Sequence, residues 1–226
     1  MAAEVEIALS RIHFPVTQLG PGRRVGIWMQ GCSIRCKGCI SVDTWASARQ
    51  RVPVDAVLEA IRPWAAVAEG FTISGGEPFE QPVALAALLA GIRGLSAADT
   101  LVYTGYPLEP LSRLLAAMTG LIDAVMTDPF DQDAPQTLAL RGSDNQRLVP
   151  LTALGRERLA PYDRPLKPDE RMLDVMFDAD GTVWLAGVPA RDDFLRLKGL
   201  LQAAGSDVVL SQDLRGADRD GGLPSC

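Results

Sequence analysis

The chain has 226 residues, a formal net charge of −6, and is 47% hydrophobic and 22% charged. This length suits one domain, or one domain with a small extension, and the composition is ordinary for a soluble α/β protein. Apolar stretches are short and broken by charge or glycine, which excludes a membrane-spanning helix. No basic cluster is longer than Gly22-Arg23-Arg24, which argues against a surface that tracks nucleic-acid phosphates. The opening MAAEVEIALSRIHF lacks a basic segment followed by an apolar one, so no secretory signal is expected. A cytoplasmic location, where thiols stay reduced, follows.

Apolar, β-branched runs alternate with helical patterns, the sign of a largely parallel sheet with covering helices. Residues 5–9 (VEIAL) and 24–30 (RVGIWMQ) read as strands, and a cysteine-bearing loop follows the second. Val52 to Val67 reads as a helix with Pro53 near its first turn. FTIS (71–74) is a strand, SGGEP a turn, and Pro82 to Ile92 a helix. TLVYT (100–104) and IDAVMT (122–127) are strands around a helix from Leu108 to Met118, and RLVPL (147–151) is a further strand. Residues 172–188 alternate around Asp180-Gly181, a hairpin signal. A helix from Asp192 to Ala203, a strand at DVVLS (207–211) and a polar, glycine-rich tail expected to be mobile complete the chain.

Three of the four cysteines, Cys32, Cys36 and Cys39, share one loop with the spacing C-x3-C-x2-C. Four residues extended would span roughly 13–14 Å, farther than two ligands of one compact site lie apart, so the loop must coil around something small. Thiolates in a reducing compartment suit zinc or an iron–sulfur cluster. A structural zinc site wants four ligands, and the fourth could come only from His13, Cys226 or a carboxylate. Three buried thiols without a metal is a second alternative, although Ser33, Arg35 and Lys37 are interleaved. The third is a four-iron cluster held at three irons with the fourth open. One strand later, Ser74-Gly75-Gly76-Glu77-Pro78 turns the chain at the carboxyl edge of the sheet, where glycines let a ligand approach the backbone.

C-x3-C-x2-C followed by Gly-Gly-Glu resembles the radical S-adenosylmethionine superfamily. The stretches LGPGRRVGIWMQGC, CKGC, DTW, ISGGEP, VYTGY and RGSDNQR, within about residues 18 to 150, are similar to the activating enzymes of anaerobic ribonucleotide reductase and their single-cluster relatives. Gly38 before the last cysteine fits that branch. The resemblance implies an α/β fold built as a partial (β/α)6 barrel. With the patterns above, the radical SAM core is expected over 1–165, a hairpin, helix and strand extension over 166–214, and a flexible tail over 215–226.

The same resemblance implies a [4Fe-4S] cluster on Cys32, Cys36 and Cys39, with S-adenosylmethionine chelating the fourth iron. It implies that Gly75, Gly76 and Glu77 hold the methionyl end, and that Thr104 lies on the ribose or methionine side. Ser143 and Asn145 would face S-adenosylmethionine or substrate, with a plain turn and a solvated arginine as the alternative. Met126 and Asp128 stand at a strand end where some activases bind a cation. Trp28 and His13 read as structural, Trp45 as packing of the cysteine loop, and Cys226 as incidental. Two departures stand out: Thr127-Asp128-Pro129-Phe130 replaces the expected Asp-Gly-Pro-Phe, and the stretch from about Pro165 has no counterpart in the smallest activases.

The implied chemistry is a one-electron reduction by a flavodoxin- or ferredoxin-like donor, cleavage of S-adenosylmethionine to a 5′-deoxyadenosyl radical, and hydrogen abstraction from a glycine of a partner protein. No side chain is assigned acid–base work. With only Cys226 left over, a single cluster is expected. Two alternatives stay open: modification of a small molecule or peptide, with the hairpin and tail building the pocket, and a non-enzymatic iron–sulfur or zinc module.

Overall fold

The computed structural model describes residues 4–47, 50–167, 170, 172–178 and 182–210. Its centre is a six-stranded sheet in the order β2-β3-β5-β6-β7-β8. Four strands run parallel: β3 (Arg24–Met29), β5 (Gly70–Gly75), β6 (Asp99–Tyr103) and β7 (Ala124–Thr127). They are flanked by two antiparallel edges, β2 (Leu9–Val16) against β3 and β8 (Arg147–Pro150) against β7. The α/β class holds, and the sheet is mixed because only βα crossovers enforce parallel pairing, whereas the edges arrive through turns or loops.

Period-two alternation gives the sheet two faces. Val25, Ile27, Met29, Phe71, Ile73 and Val102 point to one side. There they pack on α1 (Val54–Ala65), α2 (Pro82–Leu95) and α3 (Leu108–Ala117) in the main core. The other side carries Leu101, Ala124, Met126 and Leu148, covered by Leu159 beside the short α4 (Ala153–Arg158). On that same side Trp28 and Val16 pack on Ala186 of a hairpin formed by β9 (Leu173–Phe177) and β10 (Val183–Gly187). An eleven-residue helix, α5 (Asp193–Ala203), follows.

At the amino edge of the parallel strands the Arg24 guanidinium meets Asp99 at 2.6 Å, both side chains fully buried. It also donates to Thr72 Oγ1, Phe71 O and Pro21 O, so little of its hydrogen-bonding capacity is left over. A Cβ at Gly70 would lie 2.1 Å from Arg24 Nη1, so glycine is what leaves room for the ion pair.

Several elements depart from the sequence expectation. The strand read at 5–9 divides into β1 (Glu6–Ile7) and the longer β2, whose polar Ser10, Arg11 and His13 mask the alternation of Ile12, Phe14 and Val16. The helix read from Val52 starts at Val54. Val52 precedes a proline, which favours extended backbone, and Val52–Pro53 forms β4 against β1. The strand read at 207–211 is corrected: residues 206–210 have no regular structure, and no ladder forms there to supply a partner. The hairpin turn at Asp180-Gly181, Ser211 and the tail with Cys226 lie outside the described residues.

Candidate functional site

The loop after β3 coils tightly. Gly31, Arg35 and Gly38 all take positive φ (100°, 51° and 83°), and the Cys39 amide closes a turn onto Cys36 O at 3.1 Å. A side chain at Gly38 would collide with Gln132 and Phe130, so the loop packs directly on the segment after β7. Cys32, Cys36 and Cys39 form no disulfide among the described residues and are each partly buried. Burial pushes all three thiols up in pKa. N–H groups aimed at the sulfurs oppose this: Arg35 and Ile34 at Cys32, Phe130 at Cys36, Ser41 and the Trp45 indole at Cys39. Such donors favour thiolate, the form that binds iron.

The turn after β5 clasps this loop. The Gly76 amide donates to Met29 O and the Glu77 amide to Gly31 O, both at 2.8 Å. A Cβ on Gly76 would sit 2.1 Å from Gly31 O, so only glycine permits the approach. The Glu77 side chain turns inward, at 1% exposure. Its Oε1 accepts from the Phe79 amide (3.0 Å) and the Thr104 hydroxyl (2.8 Å), and its Oε2 from the Gly105 amide (2.8 Å). Burial nevertheless outweighs these donors and raises its pKa to about 7.

The remaining predicted residues divide. Thr104 is buried, and its hydroxyl serves Glu77 and the Tyr106 amide. Ser143 is fully buried and accepts from the Asp131 amide at 3.0 Å, while exposed Asn145 donates to Pro129 O at 2.8 Å. Both therefore brace the segment that carries Phe130 to Cys36. Met126 is fully buried, and both Asp128 carboxylate oxygens meet the Arg147 guanidinium at 2.7 and 3.0 Å. An arginine thus stands where the resemblance suggested a cation. Asp128 has φ 78°, the left-handed backbone of the glycine it replaces, and aspartate is among the few residues that tolerate it. Trp28 (4% exposed) is core, and His13 sits between Trp28 and Trp184 with its Nε2 buried.

The donor chemistry fits a cluster. Three thiols share one coiled loop, each with an N–H···S donor, and a glycine turn packs closely against that loop. Among the described residues no group of three or more His, Cys, Asp or Glu is set to hold a single metal ion, as the zinc alternative requires. A cluster distributes its cysteines over separate irons and needs no such convergence.

Sequence reading missed Glu80, whose carboxylate accepts from Ser33 N (2.9 Å) and Ser33 Oγ (2.5 Å) and so anchors the loop between Cys32 and Cys36. It also missed Gln81, which joins Ala8 and Gln30, and Arg11, which pairs with Asp43. Glu80 and Gln81 follow the Gly-Gly-Glu turn directly, the one local signal available.

The model of the 4Fe-4S single cluster domain family matches residues 18–149, a span that includes every predicted site residue. The anaerobic ribonucleoside-triphosphate reductase-activating protein of Enterobacteria phage T4 is 30% identical over 134 residues, covering 57% of this chain and 85% of the phage protein. The protein of the same name from Haemophilus influenzae is 32% identical over 137 residues, covering 56% and 87%. That of Escherichia coli K12 is 28% identical over 144 residues, covering 59% and 93%. The expected resemblance to activating proteins is borne out, and the chain belongs to the 4Fe-4S single cluster domain family.

Proposed function

We propose that this chain is a radical S-adenosylmethionine activating enzyme whose substrate is a glycine of a partner protein. The observation that carries the reading is the clasp between the two motifs, with Gly76 and Glu77 hydrogen-bonded onto Met29 and Gly31 of the loop that bears the three cysteines. In it Cys32, Cys36 and Cys39 hold a [4Fe-4S] cluster. Held there and reduced by a flavodoxin- or ferredoxin-like donor, such a cluster would supply reductive cleavage of S-adenosylmethionine to methionine and a 5′-deoxyadenosyl radical, and the radical would take a glycine hydrogen.

The chain's own work is placement. Gly75 and Gly76, whose missing Cβ atoms let the turn close on Met29 and Gly31, carry the turn that would hold the methionyl group, and Glu77 acts through the shape of that turn, since three donors already occupy its carboxylate. Thr104 sets Glu77, and Ser143 and Asn145 set the segment that closes over Cys36. Residues 1–165 form the proposed core, a partial (β/α)6 barrel in which the four parallel strands are the common part. A cytoplasmic setting belongs to the same proposal, and among the described residues no helix is long and apolar enough to cross a membrane.

A second reading, modification of a small molecule, draws on one feature. A cavity of about 270 Å³ lies between Gln136, Leu138 and Arg141 and the later residues Tyr162, Leu166 and Met172. It shares no lining residue with the cysteine loop or the Gly-Gly-Glu turn, so the activating reading is preferred. The test is anaerobic reconstitution with iron and sulfide, then addition of a strong reductant and S-adenosylmethionine. Release of 5′-deoxyadenosine is expected. Its absence from a chain that carries the cluster would leave only a non-enzymatic iron–sulfur module.

A further inference from the structure

Arg11 and His13 of β2 project to the sheet face that the helices α1 to α3 leave uncovered, where the hairpin packs. The Arg11 guanidinium lies between two indoles, 5.1 Å from the Trp28 ring centroid and 4.3 Å from that of Trp184. Its Nη1 reaches Asp43 Oδ2 at 2.5 Å, with the two side chains 10% and 24% exposed. Asp43 is the middle residue of the short helical turn Val42–Thr44, and this turn ties down both ends of the cysteine loop. Thr44 O accepts from the Gly31 amide at 2.8 Å and Trp45 O from the Cys32 amide at 3.3 Å. At the far end the Trp45 indole donates to the Cys39 sulfur.

Trp184 belongs to β10, beyond the family match that ends at residue 149. Its indole N–H donates to Asp178, which fixes the ring on the hairpin, and Ala186 and Met176 seat the hairpin on Trp28. A partly exposed ion pair alone contributes little, because two long side chains must be held in one geometry. Stacking between two indoles removes that freedom from Arg11, since a planar guanidinium retains its stacking partners and its fork at once.

We propose that Arg11 is a positioning residue for the cysteine loop, and that the C-terminal hairpin, acting through Trp184, holds Arg11 in place. The functional consequence rests on the reading of that loop as the cluster site. In this arrangement the extension is a brace: Trp184 orders Arg11, Arg11 orders Asp43, and the Val42–Trp45 turn orders Gly31, Cys32 and Cys39.

The test is hydrogen exchange of the full chain, before and after reconstitution with iron and sulfide, read at the Gly31 and Cys32 amides. Trp184→Ala is expected to speed exchange there by roughly five- to thirtyfold, the span from an exposed to a desolvated cation–π contact. Arg11→Lys, which keeps the charge and loses the planar stack, is expected to do the same, and Trp184→Phe, which keeps an aromatic face but loses the N–H to Asp178, to fall between Trp184→Ala and the parent. In an Asp43→Asn background, adding Trp184→Ala should change little, because the route is already cut. Unchanged exchange at Gly31 and Cys32 in both Trp184→Ala and Arg11→Lys overturns the proposal, as does a fully additive effect in the Asp43→Asn background. Iron content is a separate readout: a parent chain that retains no iron sinks the cluster reading while the exchange coupling stands or falls by itself.

Discussion

The hydroxyl of Thr104 donates to Glu77 Oε1 at 2.8 Å, a buried contact that helps join the loops following β5 and β6. Glu77 therefore works inward. Its carboxylate accepts from Phe79, Thr104 and Gly105, while its backbone amide holds Gly31 of the cysteine loop. One residue, through its side chain and its backbone amide, thus connects three successive strand ends.

Thr104→Val keeps the volume and removes this donor. It leaves a buried carboxylate with one partner fewer and should destabilise the chain by about 1–3 kcal/mol. Denaturant unfolding measures that loss. If Thr104 acts through Glu77, Thr104→Val in a Glu77→Gln background should cost clearly less than in the parent.

Glu77 also predicts a pH dependence for the metal-free chain. Burial raises its folded-state pKa from 4.5 to about 7, so between those values the folded chain holds a proton that the unfolded chain has released. The Glu77 contribution is fully present below about pH 4.5 and lost as pH rises to about 7, an effect on the order of 3 kcal/mol. Unfolding free energies of the parent and Glu77→Gln, compared across that range, should diverge as pH rises, with the parent losing more.

Gly76→Ala tests the clasp. The added Cβ would fall 2.1 Å from Gly31 O, a backbone atom that cannot swing aside. The turn must move off the cysteine loop, with a stability loss of about 1–3 kcal/mol. Iron retained after reconstitution should fall more than the unfolding midpoint alone accounts for. A variant with parent-like iron content would show that the contact does not position the loop.

Asp99→Asn addresses the opposite edge of the sheet. It removes the counter-charge of Arg24, which has no exposure, and should destabilise the chain by about 3–5 kcal/mol. Calorimetry reads this directly. Because the pair lies at the amino edge, iron uptake by the surviving folded fraction should match the parent.

The legible part of the molecule was local. The strand alternation at Val25, Ile27 and Met29, the helix after Pro82 and the thiol spacing at Cys32, Cys36 and Cys39 can each be read within a window of a few residues. The coiling demanded by that spacing is realised by the positive φ angles of Gly31, Arg35 and Gly38. Less legible was β2, where Arg11 and His13 occupy positions that normally carry apolar residues because a distant hairpin covers them.

From sequence alone came the α/β class, the thiol loop and the glycine turn, because period, spacing and backbone permissiveness are properties of neighbouring residues. Tertiary structure alone decided that the Glu77 carboxylate faces Thr104 and Gly105, that Arg147 occupies Asp128, and that Trp184 closes over Arg11. The physical reason is that a polar side chain carries the same donors and acceptors wherever it sits. Whether they are taken up by a ligand, by water or by a far part of the chain depends on which surfaces the fold brings together.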